Sequence, residues 1–202
     1  MPLNLESSSG DFTPIIKMNA KAGRWYKRDQ VGDQYQDVEV ADLTAVFDLE
    51  NIATGWLAFP QGGAPNWVPD PSLSDAGVQP SPDHKRGFKI NLYSDKNLDG
   101  LREWMANSAC ANAAVKGLYA AYEGLRVANV GKVPVVRSTG MTPIATQHGT
   151  NYQPTLEIVA WADRPEGLTV EAAAPAPPPA AAPANTLAPP PPAPAASATV
   201  EF

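Results

Sequence analysis

The sequence has very few of the side chains from which disulfides and metal sites are built. Among its 202 residues there is one cysteine, Cys110, and there are two histidines, His84 and His148. A single cysteine cannot form an internal disulfide, and with two histidines it falls short of the four ligands of a structural zinc site. We therefore expect a domain that is stabilised by its hydrophobic core alone and that holds no metal ion and no cofactor.

Motifs of catalysis are also missing. The chain contains no P-loop, no G-x-S-x-G turn and no H-E-x-x-H helix. His84 lies beside Asp83 in a turn-like stretch, and His148 lies in another, so both are interpreted as solvated turn residues rather than as general bases. No residue is a candidate catalytic residue, and the sequence predicts a protein that is not an enzyme.

Long apolar runs are absent as well. No stretch approaches the roughly 20 apolar residues that a membrane-spanning helix needs. The first residues, MPLNLESSSGDF, have neither the basic start nor the apolar run of a signal peptide. These absences predict a cytoplasmic protein, in its own cell or in a host, without a membrane partner.

What the sequence does contain is an unusual C-terminal segment. From Ala172 to Thr199, 10 prolines and 13 alanines make up 23 of 28 residues, with no charged and no aromatic side chain. Such a composition cannot bury enough apolar surface to offset the entropy lost on ordering. We predict a flexible N-terminus at 1–11, one folded domain at 12–170, a disordered Pro/Ala-rich linker at 171–199 and a C-terminal tip at 200–202.

Within the domain, the pattern of apolar residues indicates a mainly β fold. Strands are predicted at DFTPIIKMNA, GRWYKRD, residues 38–49 and 54–59, KRGFKINLYS, KVPVVRST and PTLEIVAWAD. Apolar residues at three- and four-residue spacing predict one long helix at about residues 98–124. Strands around a single helix, without strand–helix alternation, favour an antiparallel Greek-key barrel like the oligonucleotide-binding (OB) fold.

Charge is distributed unevenly along the domain. The net charge is −6, yet the stretch NAKAGRWYKRD packs four basic residues beside a tryptophan and a tyrosine, and HKRGFKINLY repeats the combination. Proteins that bind single-stranded nucleic acid without sequence preference combine a positive groove with aromatic platforms for the bases. The pattern favours such a site on these strands, and on charge alone a mixed, solvated surface is the equal alternative.

The candidate binding residues are basic and aromatic side chains of these stretches and of one later strand. They are Lys17, Lys21, Arg24, Trp25, Tyr26, Lys27, Arg28, Lys85, Arg86, Lys89, Tyr93 and Arg137. Consecutive strand residues point to opposite faces, so Trp25 and Tyr26 cannot both meet a base. Trp25 is predicted to stack, because alternation puts it on the same face as Lys27. Tyr93 shares a face with Lys89 and is predicted to be an exposed platform.

Four phrases give the sequence a likeness to a known family. FTPIIKMNAKAGRWY, DLENIATGWLAF, HKRGFKINLYS and HGTNYQPTLEIVAWADRP, within roughly residues 12–165, resemble the single-stranded DNA-binding proteins of tailed bacteriophages and prophages. The resemblance implies an OB-type barrel that coats single-stranded DNA during phage replication, recombination or repair. It also implies a C-terminal tip that recruits partner proteins, here Glu201 and Phe202, with one acid where bacterial tips have several.

Two further expectations concern partners. The exposed edges of a partly open barrel allow a homodimer. An alternative to DNA binding is a phage structural or protein-interaction module, in which the Pro/Ala-rich segment is a spacer.

Overall fold

The computed structural model describes residues 14–32, 34–147 and 149–168. The chain divides into two units, Met1–Val170 and Glu171–Phe202. All described residues belong to the first unit. The predicted N-terminal segment 1–11, the linker 171–199 and the tip with Glu201 and Phe202 lie outside the described residues.

Ten strands and one long helix make up the described part of the chain. The strands are β1 Ile15–Asn19, β2 Arg24–Val31, β3 Gln34–Val40, β4 Thr44–Phe47, β5 Ala53–Ala58, β6 Asn66–Pro69, β7 Lys85–Ser94, β8 Gly100–Ala106, β9 Lys132–Thr146 and β10 Gly149–Asp163. The helices are α1 Asp95–Leu98 and α2 Ala109–Leu125, with 3₁₀ turns at Leu49–Asn51, Arg126–Asn129 and Glu166–Leu168. The prediction of a mainly β domain with one long helix is confirmed.

The ten strands form one mixed sheet. Its main order is β10-β9-β4-β7-β8-β1-β2-β3, while β5 pairs with β7 and β6 pairs with β5. All neighbours are antiparallel except β1 and β8, which run parallel. The sheet is therefore mainly antiparallel, as expected, and the parallel pair β1–β8 is a feature of it that the sequence did not predict. Because β1 and β8 lie far apart along the chain, no local pattern in the sequence reports their relative direction.

The sheet curls until β10, at one end, touches the turn between β1 and β2. The β1–β2 turn is near one end of the sheet and β10 is at the other, yet Tyr152 on β10 donates its backbone N–H to the carbonyl of Ala20 at 2.7 Å. Gly23, in the same turn, has a φ of +64°, and a Cβ there would lie 2.9 Å from the Tyr152 ring. A glycine is needed at this position both for its backbone conformation and for the close approach.

The hydrophobic core lies inside the curl. Trp104 is fully buried and contacts Trp25, Phe47 and Phe88 edge-on, with ring centroids 4.7 to 6.4 Å apart. Helix α2 packs against this core through its buried residues Cys110, Ala111, Ala114, Val115, Leu118 and Tyr122. Aromatic pairs of this geometry stabilise a core beyond their buried area alone.

The predicted helix at 98–124 starts too early. Ser94 caps the short helix α1, and the chain then turns back at Asp99 and Gly100, whose φ angles are +55° and +109°. Residues Gly100–Ala106 form β8, antiparallel to β7, and α2 begins only after its N-cap, Ser108. Positive φ angles end a helix. The spacing of apolar residues in β8 resembled that of a helix, although only alternate side chains face the core.

Two other boundaries differ from expectation. Residues 38–49 contain the end of β3 and all of β4, not one strand. The stretch GMTPIATQHGTNYQ lies between the predicted strands KVPVVRST and PTLEIVAWAD, and its described residues mostly form strand. β9 and β10 pair from Lys132 and Asp163 out to Thr146 and Gly149. Most side chains of this hairpin arm are exposed. An arm that is exposed on both faces has no alternation of apolar residues by which the sequence could reveal it.

Candidate nucleic-acid interface

Strand β2 divides the expected binding residues between two faces of the sheet. Arg24, Tyr26 and Arg28 lie on the outer face, and Trp25 and Lys27 lie on the inner face. Trp25 is 2% exposed, and its Nε1 donates to Ser138 Oγ at 3.0 Å. The prediction that Trp25 stacks on bases is therefore wrong. The alternation of side chains along the strand correctly placed Trp25 on the same face as Lys27. The sheet curls around that face, so it contacts the hydrophobic core.

Lys27 belongs to a cluster of ion pairs at the edge of the core. Its ammonium contacts the carboxylates of Asp99 and Asp29, and its side chain is only 15% exposed. Arg102, which is buried, places Nη2 2.6 Å from Asp29 and donates to the backbone carbonyls of Leu98 and Arg28. The hydrogen bond between Lys27 and Asp99 raises the pKa of Lys27 and lowers the pKa of Asp99. The structure thus places Lys27 within the fold rather than on the binding face.

The outer face brings a different subset of residues together. Lys89 opposes Met105 across β7 and β8, and the parallel ladder of β8 and β1, continued by one residue, brings Lys17 beside Met105. Lys17 in turn opposes Tyr26 across β1 and β2. With neighbouring strands about 4.8 Å apart, this row spans roughly 15 Å from Lys89 to Tyr26.

Two arginines complete this surface. Arg24 and Arg28 flank Tyr26 at two-residue spacing, so their side chains share its face. We call Lys17, Arg24, Tyr26, Arg28 and Lys89 the outer binding face. Three positive side chains therefore lie beside one partly exposed aromatic ring, and a fourth, Lys89, lies roughly 15 Å away. Proteins that bind single-stranded nucleic acid combine positive charge and aromatic rings in this way.

Every basic residue of the outer binding face has a partner. The pairs are Lys17 with Asp37 at 2.5 Å, Arg24 with Glu39 at 2.6 Å, Lys89 with Glu103 at 2.5 Å, and Arg28 over the Tyr35 ring at 5.4 Å from its centroid. The hydrogen bond to Glu39 raises the pKa of Arg24, which therefore stays charged. The three ion-paired bases are between 39% and 57% exposed. Asp37 and Glu39 are as exposed as their basic partners, so these two ion pairs contribute little and a phosphate can replace either carboxylate at low cost. Glu103, at 14% exposed, is the most protected of the three acids.

Tyr93 and Arg137 lie on another part of the outer face. Gly167, in the last 3₁₀ turn, approaches the Tyr93 ring so closely that a Cβ would lie 2.4 Å from it, and the Tyr93 hydroxyl donates to Asp95 at 2.7 Å. The expected open platform at Tyr93 is therefore covered by this turn. Arg137 lines a cavity of about 750 Å³ with Tyr93 and two acidic residues, Asp42 and Asp95.

Arg86 anchors a loop and does not belong to the outer binding face, since it alternates with Lys85 and Lys89 along β7. Its guanidinium holds Asp70 through two hydrogen bonds of 2.7 and 2.5 Å and lies 5.1 Å from the centroid of the Trp56 ring. Asp70 also accepts from Thr54 Oγ1 and from the backbone N–H of Gly77. These hydrogen bonds hold the pKa of Asp70 far below its usual range, and the bond with Arg86 has the largest effect. The contacts tie the Pro- and Gly-rich segment after β6 to β5 and β7.

The sequence pattern did not place Trp67, which lies beside the outer binding face. Trp67 opposes Leu57, and Leu57 opposes Lys85, so the indole and Lys85 share a face. The ring lies against Gly55, where a Cβ would come within 2.9 Å of it. Trp67 is partly exposed, and Lys85 is exposed, as is Lys21 in the β1–β2 turn. The segment reads as loop in the sequence, so no alternation marked Trp67 as a sheet residue.

His84 differs from its expected surroundings. It is 7% exposed, and its Nδ1 lies 2.8 Å from Ser81 Oγ. The expectation of a solvated histidine is therefore wrong, because the loop folds over it. Within the described ranges, no group of three or more His, Cys, Asp or Glu side chains is placed to hold a metal ion. No helix among the same residues is both long enough and apolar enough to cross a membrane.

The chain matches no protein-family model, no curated protein sequence and no solved structure.

Proposed function

We propose that the protein binds single-stranded DNA through the outer binding face, without catalysis, and coats it during phage replication, recombination or repair. The observation that carries the proposal is the row from Lys89 through Lys17 to Tyr26, with Arg24 and Arg28 on either side of the ring. Phosphates would exchange with the carboxylates now paired to Lys17, Arg24 and Lys89. A base would stack on Tyr26.

We further propose that the curled sheet is a barrel of the OB type. Its support is a sheet that curls until β10 touches the β1–β2 turn and whose core is covered by one long helix. OB barrels bind oligonucleotides on the face of their second and third strands and with two neighbouring loops. The outer binding face here includes β2 and lies beside β3.

A triple substitution with a charge-matched control tests the proposal. Lys17→Gln, Arg24→Gln and Arg28→Gln together remove three phosphate ligands from the outer binding face, and Lys116→Gln, Arg126→Gln and Lys132→Gln remove the same charge elsewhere. Fluorescence anisotropy of labelled oligo-dT should show tight, salt-dependent binding by the wild type. In the first triple variant the slope of log affinity against log salt concentration should be less steep than in the wild type by about two. In the control variant the slope should be unchanged.

Two outcomes contradict this function. One is a wild-type protein that does not bind oligo-dT at low salt. The other is an equal loss of binding in the two triple variants, which would mean that net charge, and not the outer binding face, decides the affinity.

A protein-interaction module is the second candidate, and the β9–β10 arm favours it. The chain has no Asp, Glu, Lys or Arg from Ser138 to Leu156, and β10 is an edge strand of the sheet. Long edge strands without charged side chains invite pairing with another chain, including a second copy of this one. Light scattering coupled to size-exclusion chromatography, with and without oligo-dT, separates the two candidates. A protein that is a dimer and whose measured mass does not change when oligo-dT is added favours the protein-interaction module.

The role of the C-terminal tip is proposed from the resemblance alone. Glu201 and Phe202 would recruit replication or recombination proteins, with the Glu201 carboxylate and the Phe202 ring as the recognised groups. Deletion of residues 200–202 should leave oligo-dT affinity unchanged at high salt and remove binding to such a partner.

A further inference from the structure

We propose that Asp37 and Glu39 on β3 make the outer binding face selective for single strands over duplex DNA. The inference rests on the proposed function and adds the residues that set its specificity. These two acids take no part in the core, since their side chains are 43% and 42% exposed.

The two carboxylates form a negative border along one side of the outer binding face. β3 is the edge strand beside β2. Asp37 opposes Arg28, and Glu39 opposes Tyr26, so both acids lie on the outer face, about 4.8 Å from the β2 positions that they oppose. The basic side chains of β1 and β2 are therefore followed, at the margin of the sheet, by two acidic side chains on β3.

A single strand can bind without crossing this border. It presents one row of phosphates, and its flexible backbone can follow Lys17, Arg24 and Lys89 while a base stacks on Tyr26. A phosphate that takes Lys17 or Arg24 leaves Asp37 or Glu39 without its ionic partner. The border therefore becomes more strongly negative as the strand binds.

A duplex cannot avoid the border in the same way. It is stiff over this length, and its second row of phosphates lies about 6 or 12 Å from the first across the minor or major groove. The line from Lys89 through Lys17 to β2 points toward β3, so a straight duplex that follows it continues over Asp37 and Glu39. There the two carboxylates, which have lost their ionic partners, repel its phosphates. Placing like charges against the unwanted partner is a general source of specificity.

Neutralising the two acids without changing their shape tests the inference. The double variant Asp37→Asn/Glu39→Gln is compared with Asp75→Asn/Asp83→Asn, which changes the net charge equally at two exposed loop positions. Anisotropy titrations with labelled oligo-dT and with a duplex of the same length, at one low salt concentration, give the preference for single strands. Thermal unfolding checks that both double variants remain folded.

The β3 variant should bind duplex about tenfold more tightly than the wild type and oligo-dT at most about threefold more tightly, whereas the control should move the ratio little. An unchanged ratio in the β3 variant overturns the inference while leaving the proposed function standing. An equal change in the control overturns it as well, because net charge would then explain the effect. A wild type that does not bind oligo-dT overturns the proposed function and this inference with it.

Discussion

The two faces of β2 carry similar side chains in opposite surroundings. On the inner face, Trp25 is buried beside Trp104, and Lys27 is held by Asp29 and Asp99. On the outer face, Tyr26 is partly exposed and Arg24 pairs with an exposed acid. Each face thus has an aromatic ring and an ion-paired basic side chain. Only the basic side chain on the outer face can exchange its carboxylate partner for a phosphate at low cost.

The comparison teaches that a basic and aromatic sequence cluster is not by itself a binding surface. NAKAGRWYKRD has six basic and aromatic residues, of which two lie on the inner face, three on the outer face and one, Lys21, in the β1–β2 turn. The four predictions below test this division, starting with the largest expected effect.

Trp25→Ala should destabilise the protein by about 3–5 kcal/mol, because it leaves a large cavity next to Trp104. Chemical denaturation gives the free energy of unfolding. Trp25→Phe, which keeps a buried ring and loses the bond to Ser138, should cost less than half as much. A stable Trp25→Ala protein that no longer binds oligo-dT would reverse the assignment of the two faces.

Arg102→Met should cost about 3 kcal/mol, since it removes the donor to two backbone carbonyls and leaves Asp29 with Lys27 alone. The effect is measured by the same denaturation experiment. Arg24→Met, an equal change on the exposed outer face, should alter the free energy of unfolding far less. An equal loss of unfolding free energy at the two positions would contradict the prediction that the buried arginine stabilises the fold more than the exposed one.

Tyr26→Ala should weaken binding to oligo-dT by about 1–3 kcal/mol, the usual contribution of one stacked base. Tyr26→Phe keeps the ring and should bind within about twofold of the wild type. Anisotropy titration measures both. Unchanged affinity in the alanine variant would transfer the stacking role to another partly exposed ring, with Trp67 the first to test.

Arg24→Gln should have the smallest effect, a loss of about 0.7 from the slope of log affinity against log salt concentration, as for one phosphate contact on a single strand. Lys27→Gln removes the same charge from the inner face and should leave the slope unchanged. A lower slope in the Lys27 variant would place that side chain on the DNA.

Much of the fold could be predicted from local patterns. β1, β2, β7 and the paired β9 and β10 contain apolar residues in alternation or many β-branched residues, and each overlaps its predicted strand, although β9 and β10 extend further than expected. The start of α2 could not be predicted, because Leu101, Trp104 and Met105 are spaced as on a helix. Only their pairing with β7 makes them a strand.

The sequence predicted which types of residue form the candidate site, but not which of the candidate residues lie together in it. Lys17, Arg24, Tyr26, Arg28 and Lys89 do lie together, on three strands that the sequence could not order. Arg86, by contrast, is bound by Asp70, which is 16 residues earlier in the chain. Such partners are chosen by the folded loop, so the sequence around Arg86 does not reveal them.

The sequence by itself determined the mainly β character, the alternation that separates Trp25 from Tyr26, and the local clustering of positive charge. Those properties depend on neighbours within a few residues. Only the tertiary structure decided which face of β2 is the core, because that depends on the direction in which the sheet curls and on distant residues such as Ser138 and Trp104. It also set Asp37 and Glu39 beside Lys17 and Arg24, since strand register, not sequence proximity, brings those charges together.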